Sequence, residues 1–517
     1  MTAAAAREIE LKLLAADADL ERLARWAAAR WRLLAPIEAA RVVTDYYDAP
    51  DLALAAAGVA VRLRQDGERR LLTIKAQGAA PGDGGGPAAT RREWEAPVGE
   101  GPLHPADIDR AGAGEFVPPA LRAHLRLCFQ TAVTRTRLLL APYDGAVVEM
   151  ALDRGRVRAG DVTAPISEIE LELRQGPLRA LFDVALDLLD RAALRVGAVS
   201  KAELGLLLLT GRKPQAAAAP PLGLSRLLTG EEALRHRARA AVRHLTANLP
   251  AAELADSAAL ARMREALARL RPAFDPLGKA PANNPAIEKL LADRRWLAER
   301  LAPCPAWDAL ALRLTQGGAE EVLRRAAADM RADAATATLR TLRSPRLTGF
   351  ILTAARNAEE RLAADPALAS LLDGSAATLA AAELDRLAAG AAKRLRRFAD
   401  GDPGTAASLG KRLRRLRREK EACRGLFATA AADAWAADLA ELTAALGRRA
   451  AAARARRLLR IIARENREAH AAASTWARFM AAEERQALAE AQDCARSLPW
   501  PSPFWRDGAA SLTAATR

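Results

Sequence analysis

"EIELK", Glu8-Ile9-Glu10-Leu11-Lys12, alternates a charged with an aliphatic side chain at every step. A period of two belongs to a strand, which sends successive side chains to opposite faces. Glu8, Glu10 and Lys12 then share one face, and Ile9, Leu11 and Leu13 the other. A single such strand fits any amphipathic strand with one wet face. The alternation recurs, however. Ser167-Glu168-Ile169-Glu170-Leu171-Glu172-Leu173 carries three carboxylates on one face. Val61-Arg62-Leu63-Arg64, Leu72-Thr73-Ile74-Lys75, Arg91-Arg92-Glu93-Trp94-Glu95, Thr134-Arg135-Thr136-Arg137 and Val148-Glu149-Met150-Ala151-Leu152-Asp153 follow the same rule. Solvated faces usually mix charges with Ser, Thr, Gln and Asn, whereas these offer full charges sorted by sign within each strand. Faces of that kind, turned inward, would line a polar bore inside a closed antiparallel barrel. Buried charges must be paired or must coordinate something. Carboxylates suit hard cations such as Mg2+ or Mn2+, and arginines and lysines suit phosphate oxygens. A metal-chelated polyphosphate satisfies both.

The ordered set resembles the CYTH superfamily, the triphosphate tunnel metalloenzymes. Glu8 to Lys12 looks like its ExExK signature. Tyr46-Tyr47-Asp48-Ala49-Pro50 is similar to its YYDTP segment, with Ala in place of Thr. Gly58 through Arg64 resembles its G-x-x-x-R-x-R strand. Lys75, Glu93 with Glu95, Arg135 with Arg137, Asp153, the Glu168–Glu172 strand and Ser200-Lys201 follow in the family's order. The resemblance covers residues 1–211 and implies hydrolysis of inorganic triphosphate to pyrophosphate and phosphate, with Mg2+ or Mn2+ as cofactor. It implies a phosphate cradle of Lys12, Arg62, Arg64, Lys75, Arg135, Arg137 and Lys201. Glu8, Glu10, Asp153, Glu168, Glu170 and Glu172 become the expected metal ligands. Glu8, Glu10, Lys12, Glu170 and Lys201 are the expected catalytic set, with water as nucleophile and Glu170 a candidate to take its proton. Thiamine triphosphatase and class IV adenylate cyclase activity use the same site and need a ring pocket, for which Tyr46, Tyr47 and Trp94 are the available aromatics. A polyphosphate-binding scaffold without turnover is the alternative outside catalysis.

The chain of 517 residues suggests more than one domain. It has no apolar run long enough to span a membrane and no secretory pattern at its start. Cys128, Cys304, Cys423 and Cys494 are scattered without metal-ligand spacing, so a reducing cytoplasm is expected. Charge is divided unevenly. Residues 1–212 hold 28 Lys and Arg against 29 Asp and Glu, while residues 213–517 hold 50 against 34. A genome-wide taste for arginine does not explain such an asymmetry. The basic part predicts an anionic partner.

Lys213 to Pro221, rich in Pro and Ala, reads as a semi-rigid linker, placed at 212–224. Gly82 to Gly86 reads as a hairpin tip, Pro102 to Pro119 as irregular, Ala120 to Gln130 as a short helix, and Leu178 to Leu194 as a helix closing over the barrel. From Glu231 onward the periodicity is helical. Helices are predicted over Glu231–Leu249, Ser257–Phe274, Ile287–Leu301, Glu320–Asp333, Leu347–Ala363, Ala380–Ala399, Ser408–Ala431, Trp435–Leu446, Ala451–Glu465 and Ala469–Cys494. The expected architecture is α+β in two domains: a barrel with flanking helices at 1–211 and an all-α antiparallel bundle at 225–505, with a tail at 506–517.

Lys411 to Arg418 packs six basic residues into eight with no acid among them. Like charges four apart destabilise a helix, which a polyanionic partner relieves. This part resembles the CHAD domain, the conserved-histidine α-helical domain often fused to CYTH, which binds inorganic polyphosphate. Arg262 to Arg271 looks like its H-x-M-R-x-x-x-R-R-L-R helix. Ala261 stands where the first histidine belongs and Gly410 near the second. Pro305-Ala306-Trp307-Asp308 keeps only Asp308 of the usual acidic motif. The resemblance implies long-chain polyphosphate as a partner held by Arg264, Arg269, Arg271, Lys411, Arg412, Arg414 and Arg415. Nucleic acid is not expected, and the oligomeric state stays open.

Overall fold

The computed structural model describes residues 6–77, 87–143, 145–278, 284–360, 366–427, 429–498 and 500–506. They form two compact units. The first gathers the described residues up to Ala217 together with Leu245–Leu254 and Leu342–Glu360; the second takes the remainder. The expected hairpin tip at Gly82–Gly86 and the tail beyond Arg506 lie outside the described residues.

The first unit is built on strands β1 (Ala6–Leu14), β2 (Arg32–Leu33), β3 (Glu38–Asp48), β4 (Val59–Asp66), β5 (Arg69–Gln77), β6 (Ala89–Pro97), β7 (Arg126–Ala141), β8 (Val147–Ala159), β9 (Val162–Gln175) and β10 (Arg195–Val196). The order β1-β6-β5-β4-β3-β7-β8-β9 closes when β9 pairs with β1, all antiparallel, so eight strands make a barrel. The short β2 and β10 flank it on β7 and β1. Cross-strand partners share a face, so the register alone sorts inside from outside. Leu11, Leu13, Val61, Leu63, Leu72, Ile74, Met150, Leu152, Ile169 and Leu171 face outward and are buried under flanking elements. The charged residues between them face the bore.

One end of the bore is stopped by the helix Lys201–Thr210. Val42, Tyr46, Phe129, Val133, Val157, Ala159 and Ile166 all face inward at that end, and Ala202, Leu204, Leu206 and Leu208 pack against them. Tyr46 and Phe129 stack with centroids 4.6 Å apart. The helix starts in a capping box: Ser200 Oγ accepts from the Glu203 N–H, and the Glu203 carboxylate accepts from the Ser200 N–H. It stops at Gly211, whose φ of 63° a side chain would resist. The helix Arg179–Leu189 lies instead against β9 and the helix Pro345–Asn357. Thr348 Oγ1 donates to the Leu194 carbonyl at 2.8 Å, and Asn248 exchanges two hydrogen bonds with Ala217.

The second unit is helical throughout. One core gathers Leu384, Leu395, Phe398, Leu413, Trp435 and Trp505, and another gathers Trp307, Leu314, Leu323, Leu459, Ile462 and Met480. Its long helices include Gly230–Ala247, Ser257–Phe274, Pro285–Arg300, Glu321–Leu342, Ala376–Ala399, Ala406–Ala422, Ala440–Glu465 and His470–Ser497.

Several sequence expectations are corrected. The helix expected over Ala120–Gln130 is one turn, Pro119–Arg122; β7 then begins, because Leu127 and Phe129 pair with Tyr47 and Tyr46. The segment expected to be irregular contains the capped helix Pro105–Arg110. The helix expected to run to Ala431 ends at Ala422, followed by a tight turn whose Gly425 lies against the Leu224 carbonyl. Two predicted helices merge into Ala440–Glu465. Lys201–Thr210 escaped periodicity because a plug is apolar around most of its circumference. Pro303–Gln316 escaped it because its prolines, tolerated in the first turn, looked like breakers.

Gly205 tests the plug. A Cβ there would lie 2.1 Å from the Phe129 ring. Gly205→Val is expected to destabilise the protein by about 1–3 kcal/mol or more, read as a lowered midpoint in urea, with Phe129→Ala in the same chain recovering part of it.

Candidate active site

The inward faces of β1, β9 and β8 stack charges in three rows. Glu10, Glu172 and Glu149 form the first by direct register, Lys12, Glu170 and Ala151 the second, and Leu14, Glu168 and Asp153 the third. Arg135 on β7 pairs in register with Asp153, and Arg137 with Ala151. Across the bore, Glu8 faces Lys75 and Glu93, and Arg62 and Arg64 stand beside Tyr46 and Thr44.

Distances show a condensed ionic network. Lys12 Nζ lies 2.5 Å from Glu168 and 2.7 Å from Glu170. Lys201, projected from the first turn of the plug helix, reaches Glu168, Glu170 (2.8 Å) and Asp153 (2.7 Å). Arg135 grips Asp153 with Nε at 2.7 Å and Nη2 at 2.6 Å, and also Glu170 at 2.6 Å. Lys75 Nζ is 2.5 Å from Glu8 and 3.3 Å from Glu93. Arg137 pairs with Asp66 near the bore wall. Glu172 and Glu149 share Arg174.

Two kinds of carboxylate result. Burial disfavours the charged forms of Glu170 and Asp153, but Lys12, Lys201 and Arg135 outweigh it for Glu170, and Lys201 with Arg135 for Asp153. Both are held below the ordinary range. Glu8 is likewise held low by Lys75 and Arg62 against its burial. Glu10 and Glu172 go the other way. Burial and then Glu170 push the Glu10 carboxyl up, and burial, opposed by Arg174, pushes Glu172 up to about 8. These are acids without enough cation near them.

The cations divide too. Arg64 makes no hydrogen bond or ion pair among the described residues. Arg62 beside it, its own burial and Arg135 push its guanidinium down to about 10. Arg62 reaches Glu93 only at 3.4 Å and leaves its buried Nε without a partner. Positive charge therefore collects at Arg62 and Arg64, with Glu93 as the one carboxylate in ion-pair contact with them among the described residues and Glu95 and Glu8 acting from a distance.

The donor set fits a hard divalent cation. Asp153, Glu168 and Glu170 each bring an oxygen to within 4.8 Å of the others, all oxygen and no sulfur or imidazole. Glu10 and Glu172 lie one row away, and Glu8 is drawn off to Lys75. Asp48 of the Tyr-Tyr-Asp-Ala-Pro stretch lies outside the bore chemistry. Its carboxylate accepts the N–H groups of Ala49, Leu54 and Ala55 and fixes the turn after β3. Of the aromatics considered for a ring pocket, Tyr46 lies on β3 in the apolar cluster under the plug helix, while Tyr47 and Trp94 pack with the outer cluster around Leu63, Ile74 and Ile108. Sequence reasoning passed over Asp66 as the partner of Arg137, and Arg174; the latter follows Glu172 by two and belongs to the same face.

The helical unit has its own basic cleft of about 1750 Å³. Arg264, Arg269, Arg271, Lys411 and Arg415 line it, together with Arg294, Arg295 and Arg418, which the sequence reading omitted. Arg412 and Arg414 are not among its lining residues. Burial, then Arg271 and other guanidinium neighbours, push Arg294 and Arg415 down to about 10 each. Ala261 is exposed, Gly410 is buried against Leu446, and neither lines the cleft. Asp308 binds Ser257 and Arg331 away from it.

The two kinds of carboxylate predict opposite stability effects. Asp153→Ala takes one of two carboxylates from Arg135 and one of three from Lys201, and is expected to cost about 1–3 kcal/mol. Glu10→Gln removes a charge that the fold resists when no metal is bound, so it should raise the melting temperature in EDTA, and any rise that Mg2+ brings to the parent should shrink in the variant. Thermal denaturation with and without Mg2+ reads both.

Residues 6–205 match the CYTH domain and residues 236–460 match the CHAD domain. The inorganic triphosphatase of Haemophilus influenzae is 32% identical over 165 residues, 32% of this chain and 44% of that protein, so the chain spans less than half of its relative. Among solved structures, the CHAD domain from the plant Ricinus communis is similar at 26% identity over 56% of this chain and 98% of that one, with a TM-score of 0.45. The putative adenylyl cyclase HpAC1 from Hippeastrum, described as having a dominant triphosphatase activity, is similar at 14% identity over 40% and 96% of the two chains, with a TM-score of 0.27. Among the described residues, no helix is long and apolar enough to cross a membrane. Closed charged barrel, helical basic cleft and both sequence matches lead to one assignment: the chain joins an N-terminal CYTH domain to a C-terminal CHAD domain.

Proposed function

We propose that the barrel hydrolyses inorganic triphosphate to pyrophosphate and phosphate. The observation that carries this reading is Arg64, a half-buried cation beside Arg62 that makes no hydrogen bond or ion pair among the described residues, with Glu95 and Glu93 attracting it only from a distance. A phosphate placed there would answer both guanidinium groups with the bidentate geometry arginine prefers. Lys75, Arg135, Arg137, Lys12 and Lys201 surround the remaining length of the bore and would hold the other phosphates. In the reaction, the oxygen of a water bonds to the terminal phosphorus as one bridging P–O bond breaks, and the leaving pyrophosphate takes the bridging oxygen and its electron pair. Phosphoryl transfer of this kind depends on positioning and charge neutralisation rather than covalent catalysis.

A divalent cation, Mg2+ or Mn2+, held by Asp153, Glu168 and Glu170 with Glu8, Glu10 and Glu172 as further oxygen donors, would neutralise phosphate charge. Glu170 is a poor proton acceptor, because Lys12, Lys201 and Arg135 hold its carboxyl low against its burial. Glu172, raised by burial to about 8, is better placed on the scale to take the proton of water. The positions of Tyr46, Tyr47 and Trp94 leave no aromatic platform of theirs for a thiamine ring or an adenine, which supports the inorganic substrate.

The CHAD cleft extends the reading. Arg264, Arg269, Arg271, Lys411 and Arg415, reinforced by Arg294 and Arg418, would hold long-chain polyphosphate, with Arg412 and Arg414 beside them as secondary contacts. The four cysteines are unpaired, in keeping with a reducing cytoplasm as the place of action.

Phosphate release from triphosphate, thiamine triphosphate and ATP, with Mg2+, with Mn2+ and with EDTA, tests the substrate and the metal together. Triphosphate should be preferred and EDTA should abolish turnover. Arg64→Ala should weaken triphosphate binding by about 1.5–3 kcal/mol, the range of a charged hydrogen bond, roughly tenfold or more, without lowering the melting temperature. Equal affinity by calorimetry would place Arg64 outside the phosphate path.

A further inference from the structure

Among the described residues, the end of the bore opposite the plug helix is the one not covered by it, and Arg174 stands there. From the plug outward, the inward positions of β9 run Ala164, Ile166, Glu168, Glu170, Glu172 and Arg174. Each step of two residues advances about 6.6 Å along a strand, so Arg174 lies roughly 20 Å beyond Glu168, at the end opposite Lys201–Thr210. Among the described residues, that helix fills its own end, with Ala202, Leu204, Leu206 and Leu208 packed on the inward apolar side chains and no room for a Cβ on Gly205 beside the Phe129 ring. Anything reaching Lys12 and Lys201 from outside must pass the Arg174 end.

There it meets the row of acids, Glu10, Glu172 and Glu149, adjacent across β1, β9 and β8. A polyphosphate entering past this row is repelled by each of the three acids that is ionised. Arg174 is the cation in direct contact with two of them. Nη1 is 2.6 Å from Glu172, and Nε and Nη2 are 3.1 and 2.6 Å from Glu149. Its side chain is 46% exposed, unlike the 8–12% of Lys12, Lys75, Arg135 and Lys201 deeper in. It is held by its two acids and by solvent, and it can turn without opening the barrel.

We propose that Arg174 is the access residue of the tunnel. It screens the acidic row from an approaching polyphosphate and turns from Glu149 and Glu172 to the phosphate that enters last, fixing how far the substrate runs in. This rests on the triphosphate reading of the bore. Fields at a charged cleft change association rates by 10- to 1000-fold and fade with salt, because the screening length shrinks from about 10 Å at 0.1 M to about 3 Å at 1 M.

The test is stopped-flow association of an imido-bridged, non-hydrolysable analogue of inorganic triphosphate with the full chain, in Mg2+, at low and at high salt. Arg174→Ala should slow association at least about tenfold at low salt, and the difference should largely close at high salt. Arg174→Lys should keep most of the rate. Adding Glu149→Gln to Arg174→Ala should recover a large part of the loss, because one of the exposed acids is gone. An unchanged melting temperature for Arg174→Ala shows that the barrel is intact. A parent-like rate for Arg174→Ala, or a loss that salt does not diminish, overturns the proposal while leaving the triphosphate site standing. If the parent chain does not bind the analogue, the reading of the bore falls, and this proposal with it.

Discussion

Charges that face into a closed barrel cannot turn to solvent, and the rest of the molecule is arranged around that constraint. Strand closure puts Glu8, Glu10, Lys12, Glu168, Glu170 and Asp153 inside together. Opposite charges must then meet across neighbouring strands, or across the bore, or the barrel would not persist. Lys12, Lys201 and Arg135 meet the lower acidic rows closely. The rows left imperfectly matched, Glu10 with Glu172 on one wall and Arg64 with Arg62 on the other, are where, on the proposed reading, a ligand carrying both signs would complete the electrostatics.

The plug helix follows from the same constraint. A bore open at both ends would let water screen every pair in it. Lys201–Thr210 closes one end with aliphatic side chains and delivers Lys201, from its first turn, onto three carboxylates. One element thus supplies both the apolar stopper and a share of the counter-charge. Gly205 is needed because the helix and the Tyr46–Phe129 stack occupy the same cross-section.

The helical unit solves a related problem differently. Its guanidinium groups converge from helices rather than from strands, and they repel one another: Arg294 and Arg415 are both pushed down by burial and by Arg271. Acids do reach the cleft, as Glu383 shows by holding Arg386, and Glu419 by holding Arg237, yet they do not balance the cluster. Part of the surplus of positive charge counted along residues 213–517 is thereby concentrated in this cleft.

Much of the barrel was legible in the sequence, because a period of two fixes which residues share a face whatever their partners are. Glu8, Glu10, Lys12, Arg62, Arg64, Lys75, Arg135, Glu168, Glu170 and Glu172 were all readable as one-face sets, and the charge asymmetry between the two parts needed only counting. Local spacing carries no information about distance between strands, however. Only the tertiary structure decided that Asp153, Glu168 and Glu170 converge while Glu8 turns to Lys75, that Arg64 makes no hydrogen bond or ion pair among the described residues, and that Asp48 serves a turn. It also decided that the stopper is Lys201–Thr210, whose apolar circumference gave no periodic signal, and that Ala261 and Gly410 stand apart from the basic cleft. The reason is the same in each case: the pattern along a chain sets which way a side chain points, and closure of the barrel and packing of the helices set what it meets.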